Sequence, residues 1–237
     1  MLITSATAGD GKTSVATNLA VAFAATGQSV VLVDGDLRRH RVGEAFGLPN
    51  DGPGLVGVLA GWATLDDALR SVQPGQLAVL PAGSTRDNPS ELLGSTAMSQ
   101  LLKELGELFE VVVVDSPPVL PVTDPLVLAV NATGVVVVVR LGETSREQLR
   151  RTIGSLQKLG VPLLGVVANG AVASSGPAYG YGYTYGAKVS GGTGRGGRGA
   201  DGSSGAARPL RQRLTGGART GRRGRVVADL RAAAVRA

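Results

Sequence analysis

The stretch Thr4-Ser5-Ala6-Thr7-Ala8-Gly9-Asp10-Gly11-Lys12-Thr13-Ser14 has the residue types and spacing that grip a chain of phosphates. Gly9 and Gly11 let successive amides turn toward one anion, and a following helix adds the partial positive charge of its N-terminus. Lys12 is placed to reach β- and γ-phosphates, and the Thr13 hydroxyl to ligate Mg²⁺. The candidate cradle is therefore Ala8, Gly9, Asp10, Gly11, Lys12, Thr13 and Ser14. One departure stands out: Ala6 occupies the position where G-x4-G-K-[ST] begins with glycine.

Two further stretches supply carboxylates. Val30-Val31-Leu32-Val33-Asp34-Gly35-Asp36-Leu37-Arg38-Arg39 is an apolar run ending in aspartates at i and i+2. On an extended strand both point the same way, so they can share a metal shell or divide metal and proton-acceptor roles. Phe109-Glu110-Val111-Val112-Val113-Val114-Asp115-Ser116-Pro117-Pro118 is a second apolar run ending in Asp115, the layout that holds Mg²⁺ directly or through water. A single strand-end aspartate is commonplace. Three such stretches in one chain point to a nucleotide-phosphate site that takes ATP and Mg²⁺.

The elements that must carry these residues are legible as alternating apolar runs and amphipathic segments. Strands are expected at Leu2–Ile3, Ser29–Val33, Leu77–Leu80, Val111–Val114, Val135–Val139 and Leu163–Ala168, and helices at Thr13–Thr26, Leu65–Ser71, Glu91–Leu108 and Arg146–Leu159. The valine runs read as strands covered on both faces, which gives an α/β fold with a doubly wound, mostly parallel sheet. Gly27 and Gly160 read as helix C-caps.

The 237 residues suffice for one such domain, with chain to spare. There is no cysteine, which excludes a disulfide framework and a thiolate metal site. Prolines 117, 118, 121 and 125 break the longest apolar region before it reaches membrane-spanning length. The net charge of +6 hides an asymmetry. Residues 186–237 carry twelve of the 24 basic and two of the 18 acidic residues, so a mildly acidic body precedes a strongly basic tail. We expect a domain over residues 1–173, a tyrosine-rich segment over 174–186, and a disordered Gly/Arg-rich extension over 187–237. All four tyrosines, Tyr179, Tyr181, Tyr183 and Tyr185, fall within seven residues of one another. They read either as a low-complexity linker or as exposed phosphoacceptors, each of which would gain roughly −1.5 to −2 charge.

Taken together, these stretches resemble the bacterial tyrosine kinases of capsule and exopolysaccharide biosynthesis, which have a MinD-like P-loop NTPase fold. The resemblance rests on Asp34-Gly35-Asp36-Leu37-Arg38-Arg39, Gly54–Gly61, Leu80-Pro81-Ala82-Gly83, Asn88–Leu93, Asp115–Val119 with Thr123-Asp124, and the tyrosine run, over about residues 2–186. Thr7 stands where MinD, ParA and arsenical-pump ATPases carry a signature lysine. Ala6 is compatible with the kinase form, and Ala8 replaces a frequent proline.

The resemblance implies a protein-tyrosine kinase that autophosphorylates Tyr179, Tyr181, Tyr183 and Tyr185 and regulates polysaccharide synthesis. Lys12 and the loop hold ATP; Thr13, Asp115 and Asp34 hold Mg²⁺; Asp36 or Asp34 accepts the phenol proton. Asn169 lies either near adenine or at an ordinary strand end. Arg38 and Arg39 are expected in solvent or at a subunit contact, and His40 is incidental. The implied partners are a membrane chain-length-determinant or activator protein, or a fused domain, together with further copies of the chain for trans-phosphorylation. The implied location is the inner face of the plasma membrane. Family members carry a helix with Glu-x-x-Arg-x-x-Arg before the first strand, so the chain reads as N-terminally truncated. Two alternatives remain open: a ParA/MinD-like ATPase whose tail binds DNA or membrane, and a non-enzymatic nucleotide-dependent scaffold. Nucleic acid is the less favoured partner, because the tail lacks interleaved aromatics.

Overall fold

The computed structural model describes residues 1–49, 51–84 and 89–171; the tyrosine segment and the basic tail lie outside the described residues. In chain order the elements are β1 (Leu2–Ser5), α1 (Lys12–Ala25), β2 (Val30–Asp34), α2 (Val42–Ala45), α3 (Leu55–Leu59), α4 (Leu65–Ala68), β3 (Arg70–Gln73), β4 (Leu77–Leu80), α5 (Pro89–Leu93), α6 (Thr96–Leu108), β5 (Val111–Asp115), α7 (Asp124–Ala129), β6 (Val135–Arg140), α8 (Arg146–Gln157) and β7 (Leu163–Asn169).

These strands form one sheet in the order β3-β4-β2-β5-β1-β6-β7, parallel except for the β3–β4 pair. Period-2 alternation sorts its residues onto two cores. Ile3, Val30, Leu32, Val113 and Val138 face α1, while Leu2, Val31, Val33, Val114 and Val137 face the opposite layer with Met98, Leu105 and Leu128. Each such fully buried Val or Leu contributes about 1.5–3 kcal/mol of transfer free energy. Helix α1 buries Ala16, Ala20 and Ala24, a stripe of small side chains that lets the helix axis lie close to the sheet and brings its first turn over the strand ends.

The α/β, mostly parallel architecture is as expected, and three local expectations change. The helix expected over Leu65–Ser71 stops at Ala68. A Thr64/Asp67 capping box starts it, but Leu69 turns extended and Arg70–Gln73 pairs with β4 as an antiparallel edge strand. The helix expected over Glu91–Leu108 is two, because Gly94 interrupts it and the Ser95 hydroxyl accepts from the Met98 amide to begin α6. The short helices α2, α3 and α7 are additions. In α7, Pro125 opens a helix rather than breaking one, since the first turn needs no amide there. None of the helices among the described residues is long and apolar enough to cross a membrane.

Candidate active site

The carboxyl ends of β1, β2 and β5 converge, as open parallel sheets require of a ligand site. The β1–α1 loop turns through Gly9 and Gly11, both at φ 94°. Gly11 needs glycine for its conformation, and a Cβ there would lie 2.0 Å from Asn169 Nδ2 and displace that side chain. The Asn169 side chain, carried by the end of β7, donates to the Asp10 carbonyl at 3.0 Å.

The Asp10 carboxylate is buried. It accepts from the Thr7 amide at 2.9 Å, from the Thr7 hydroxyl, and from the Thr144 hydroxyl at 3.0 Å. Ser5 Oγ donates to the Thr7 carbonyl, and Arg140 reaches the Gly9 carbonyl at 3.1 Å while pairing with Glu143. Sequence reasoning missed Arg140 and Thr144. The turn and cap residues after a strand could have hinted at them, but their partners lie more than 130 positions away. The Asp10 side chain thus braces the loop. Ala8, Gly9 and Ser14 are exposed, and Lys12 is buried at the helix start.

Opposite the loop stand the aspartates. Parallel pairing sets Asp34 directly beside Asp115. Gly35 lets β2 leave the sheet against β5: its amide donates to the Asp115 carbonyl at 2.8 Å, and a Cβ there would meet that oxygen at 2.7 Å. Thr13 Oγ1 donates to Asp115 Oδ2 at 2.6 Å, which brings the two expected Mg²⁺ ligands together. Asp34 Oδ2 accepts from the Val42 amide, whereas Asp34 Oδ1 and Asp115 Oδ1 are buried without a hydrogen-bond partner. Burial pushes the Asp115 carboxyl up to about 7 against the pull of Thr13 and Lys12. Burial, then the Asp115 and Asp36 charges, raise Asp34 well above its ordinary value.

Asp36 is not aimed by strand alternation, because β2 ends at Asp34. Its Oδ1 instead accepts from the Arg39 amide at 3.0 Å and the Arg38 amide at 3.3 Å. Arg38 is exposed, as expected, but not free: its Nε lies 2.7 Å from Asp124 Oδ2, and Ser90 Oγ donates to Asp124 Oδ1. Burial works to raise the Asp124 carboxyl, but these hydrogen bonds outweigh it and hold it below the usual carboxylate range. Arg39 is exposed and His40 half-buried. A separate cavity of about 320 Å³ opens between Leu102, Phe109, Val111 and Leu128, at the amino ends of β1 and β5 and away from these groups.

A buried lysine, a hydroxyl on a carboxylate, and two orphaned carboxylate oxygens stand beside a glycine loop, the groups expected of a phosphate and divalent-cation site. Known proteins are similar to this chain over 70–79% of its length. The family model for ParA, described as "NUBPL iron-transfer P-loop NTPase", matches residues 1–179. The tyrosine-protein kinase YwqD of Bacillus subtilis is 39% identical over 188 residues, covering 79% of this chain and 78% of YwqD. The chain belongs to the bacterial tyrosine-protein kinases. Etk of Escherichia coli K12, also named a tyrosine-protein kinase, is 34% identical over 76% of this chain but only 25% of its own length, so the chain spans about a quarter of the longer relatives. The solved kinase domain of Escherichia coli ETK superposes with a TM-score of 0.69 at 34% identity, covering 77% of this chain and 71% of that one. MinD of Pyrococcus horikoshii, solved with Mg-ADP, gives 0.59 at 27% identity over 70% of this chain and 67% of its own. The P-loop frame is common to both groups, and the kinases are the more similar.

Proposed function

We propose that this kinase transfers phosphate from Mg·ATP to the tyrosines of its own segment, Tyr179, Tyr181, Tyr183 and Tyr185, and that the modification regulates capsular or exopolysaccharide assembly. The carrying observation is the pair of buried, unpartnered oxygens Asp34 Oδ1 and Asp115 Oδ1 beside Thr13. Orphaned carboxylate oxygens are costly in a fold and are satisfied by a bound cation.

Thr13, Asp115 and Asp34 would hold the metal. Lys12, the Gly9–Ser14 amides and Asn169 would line the nucleotide. Mg·ATP would supply the transferable phosphoryl group, whose charge Mg²⁺ and Lys12 would offset. Asp36, nearer the surface and held by two turn amides, orients an incoming phenol and accepts its proton. Asp34 remains with the metal. The acceptor needs little more, since positioning and charge neutralisation carry most of the rate.

A membrane-anchored activator and further copies of the chain are the partners that fit a kinase acting on a tail, and they would bring it to the inner face of the plasma membrane. A ParA-type ATPase is the second reading, favoured by the family model. Against it, Thr7 holds the position of that class's signature lysine and is hydrogen-bonded into the loop by Asp10. Incubation of the full chain with Mg·ATP, followed by mass spectrometry of residues 174–188 beside Lys12→Met, separates the two. Phosphotyrosine in the wild type alone supports the kinase. Turnover without phosphotyrosine, stimulated by DNA or lipid, supports the ATPase.

A further inference from the structure

The turn that carries Asp36 is tied down at a distance. Arg38 leaves it and crosses 86 positions to the start of α7, where Nε meets Asp124 Oδ2 at 2.7 Å and Nη2 meets Oδ1 at 3.4 Å. Ser90, in the first turn of α5, donates to Asp124 Oδ1 and lies 3.1 Å from Arg38 Nη2. Asp124 is only 1% exposed. An exposed ion pair would be worth little. This one has a buried carboxylate gripped by a guanidinium fork and a hydroxyl, which fixes direction as well as distance.

What the clamp joins gives it a role beyond stability. It bridges the segment leaving β2 to the segment following β5, the two neighbouring strands that present Asp34 and Asp115. Without it, Asp36 is steered only by two amides of its own turn. Displacement of a reacting group by about 1 Å can cost a hundredfold in rate. The metal-side aspartates do not depend on the clamp, since strand pairing and the Val42 amide hold them.

We propose that Arg38, Asp124 and Ser90 form a clamp that positions Asp36 for the acceptor tyrosine, and that Arg38 and Asp124 are positioning residues of phosphotransfer rather than of nucleotide binding. The proposal rests on the kinase reading.

The test uses the full-length chain with a synthetic peptide copying residues 176–186, and the variants Asp124→Asn, Arg38→Lys, Arg38→Ala and Ser90→Ala. Expected for Asp124→Asn and Arg38→Ala is a fall in kcat of about tenfold to a hundredfold. The affinity for a fluorescent Mg·ADP analogue should stay within about twofold, because the P-loop is untouched. Arg38→Lys keeps the charge but loses the fork, and should recover only part of the rate. Ser90→Ala removes one hydroxyl contact and should cost about fivefold. The double variant R38A/D124A should be no slower than the worse single one. Amide hydrogen exchange over residues 35–41 should quicken about tenfold in Arg38→Ala and Asp124→Asn.

A melting temperature that falls while kcat holds, or Mg·ADP affinity that falls in step with kcat, would overturn the proposal and leave a structural brace. If wild type transfers nothing to tyrosine, the kinase reading fails by itself. The exchange rates of residues 35–41 and the Mg·ADP affinities still decide whether the clamp holds that turn independently of the nucleotide.

Discussion

The two walls of the site are built on opposite principles. On the P-loop wall three polar side chains are spent on bracing the loop: Asp10 on Thr7 and Thr144, Asn169 on the Asp10 carbonyl, Arg140 on the Gly9 carbonyl. The loop amides, Lys12 and Thr13 are what the proposed site leaves for a ligand. On the aspartate wall two carboxylates are buried side by side with an oxygen each left over, and both titrate above their ordinary range. The protein completes the first wall itself, and the second is where we propose that a cation binds. A buried carboxylate therefore means different things ten and thirty-four residues into the same chain. Full satisfaction marks a brace, and incomplete satisfaction marks a reactive site.

Substitutions on the two walls should separate stability from activity. The largest effect is on chemistry: Lys12→Met and Asp115→Asn should each lower phosphotyrosine formation at least about a hundredfold, measured by phosphotyrosine mass spectrometry. At pH 8, Asp115→Asn should nonetheless melt higher than wild type in the absence of nucleotide, because it removes a buried charge beside Asp34. Asp10→Ala should do the reverse. It strands the Thr7 amide and the Thr144 hydroxyl, a loss of about 2–3 kcal/mol, and should lower the melting temperature by roughly 4–12 °C.

The pH dependence sharpens the contrast. Asp115 keeps its proton up to about pH 7 when folded but releases it near its ordinary value when unfolded. The folded state therefore binds the extra proton between those limits. This contribution to stability is complete at acid pH, is lost as pH rises toward 7, and is flat above. Thermal melts of the nucleotide-free protein from pH 5 to 8 should fall in wild type and fall less in Asp115→Asn. The smallest expected change is Thr7→Lys. It loses the hydroxyl contact to Asp10 but keeps the amide one, about 1 kcal/mol by thermal melting, and should gain no ATPase stimulation by DNA or lipid.

How much of this is legible in the sequence follows from range. β2, β5 and β6 announce themselves as valine runs, because a strand covered on both faces has no polar side. β3 is an edge strand with alternate residues exposed, and Arg70-Ser71-Val72-Gln73 contains too little apolar pattern to be seen. The overlong helix across Gly94 shows that periodicity can continue through a break made by one glycine and one serine cap. At the site, Lys12, Thr13, Asp34 and Asp115 could be named because local motif order constrains them. The Arg38–Asp124 bond and the Thr144–Asp10 bond could not, since spacings of 86 and 134 residues leave no local pattern. Gly35 was within reach: a glycine between two strand-end aspartates marks a close approach of backbones.

The claim that one wall is complete and the other awaits a cation is tested most directly by thermal melts at pH 8 with ADP, with and without Mg²⁺, on wild type, Asp115→Asn and Asp10→Asn. At a hundredfold excess over Kd, Mg·ADP should contribute about 2.7 kcal/mol, a rise of roughly 5–11 °C in wild type. That rise should vanish with chelator or in Asp115→Asn and persist in Asp10→Asn. A rise that is independent of Mg²⁺, or one that survives in Asp115→Asn and disappears in Asp10→Asn, would contradict the account.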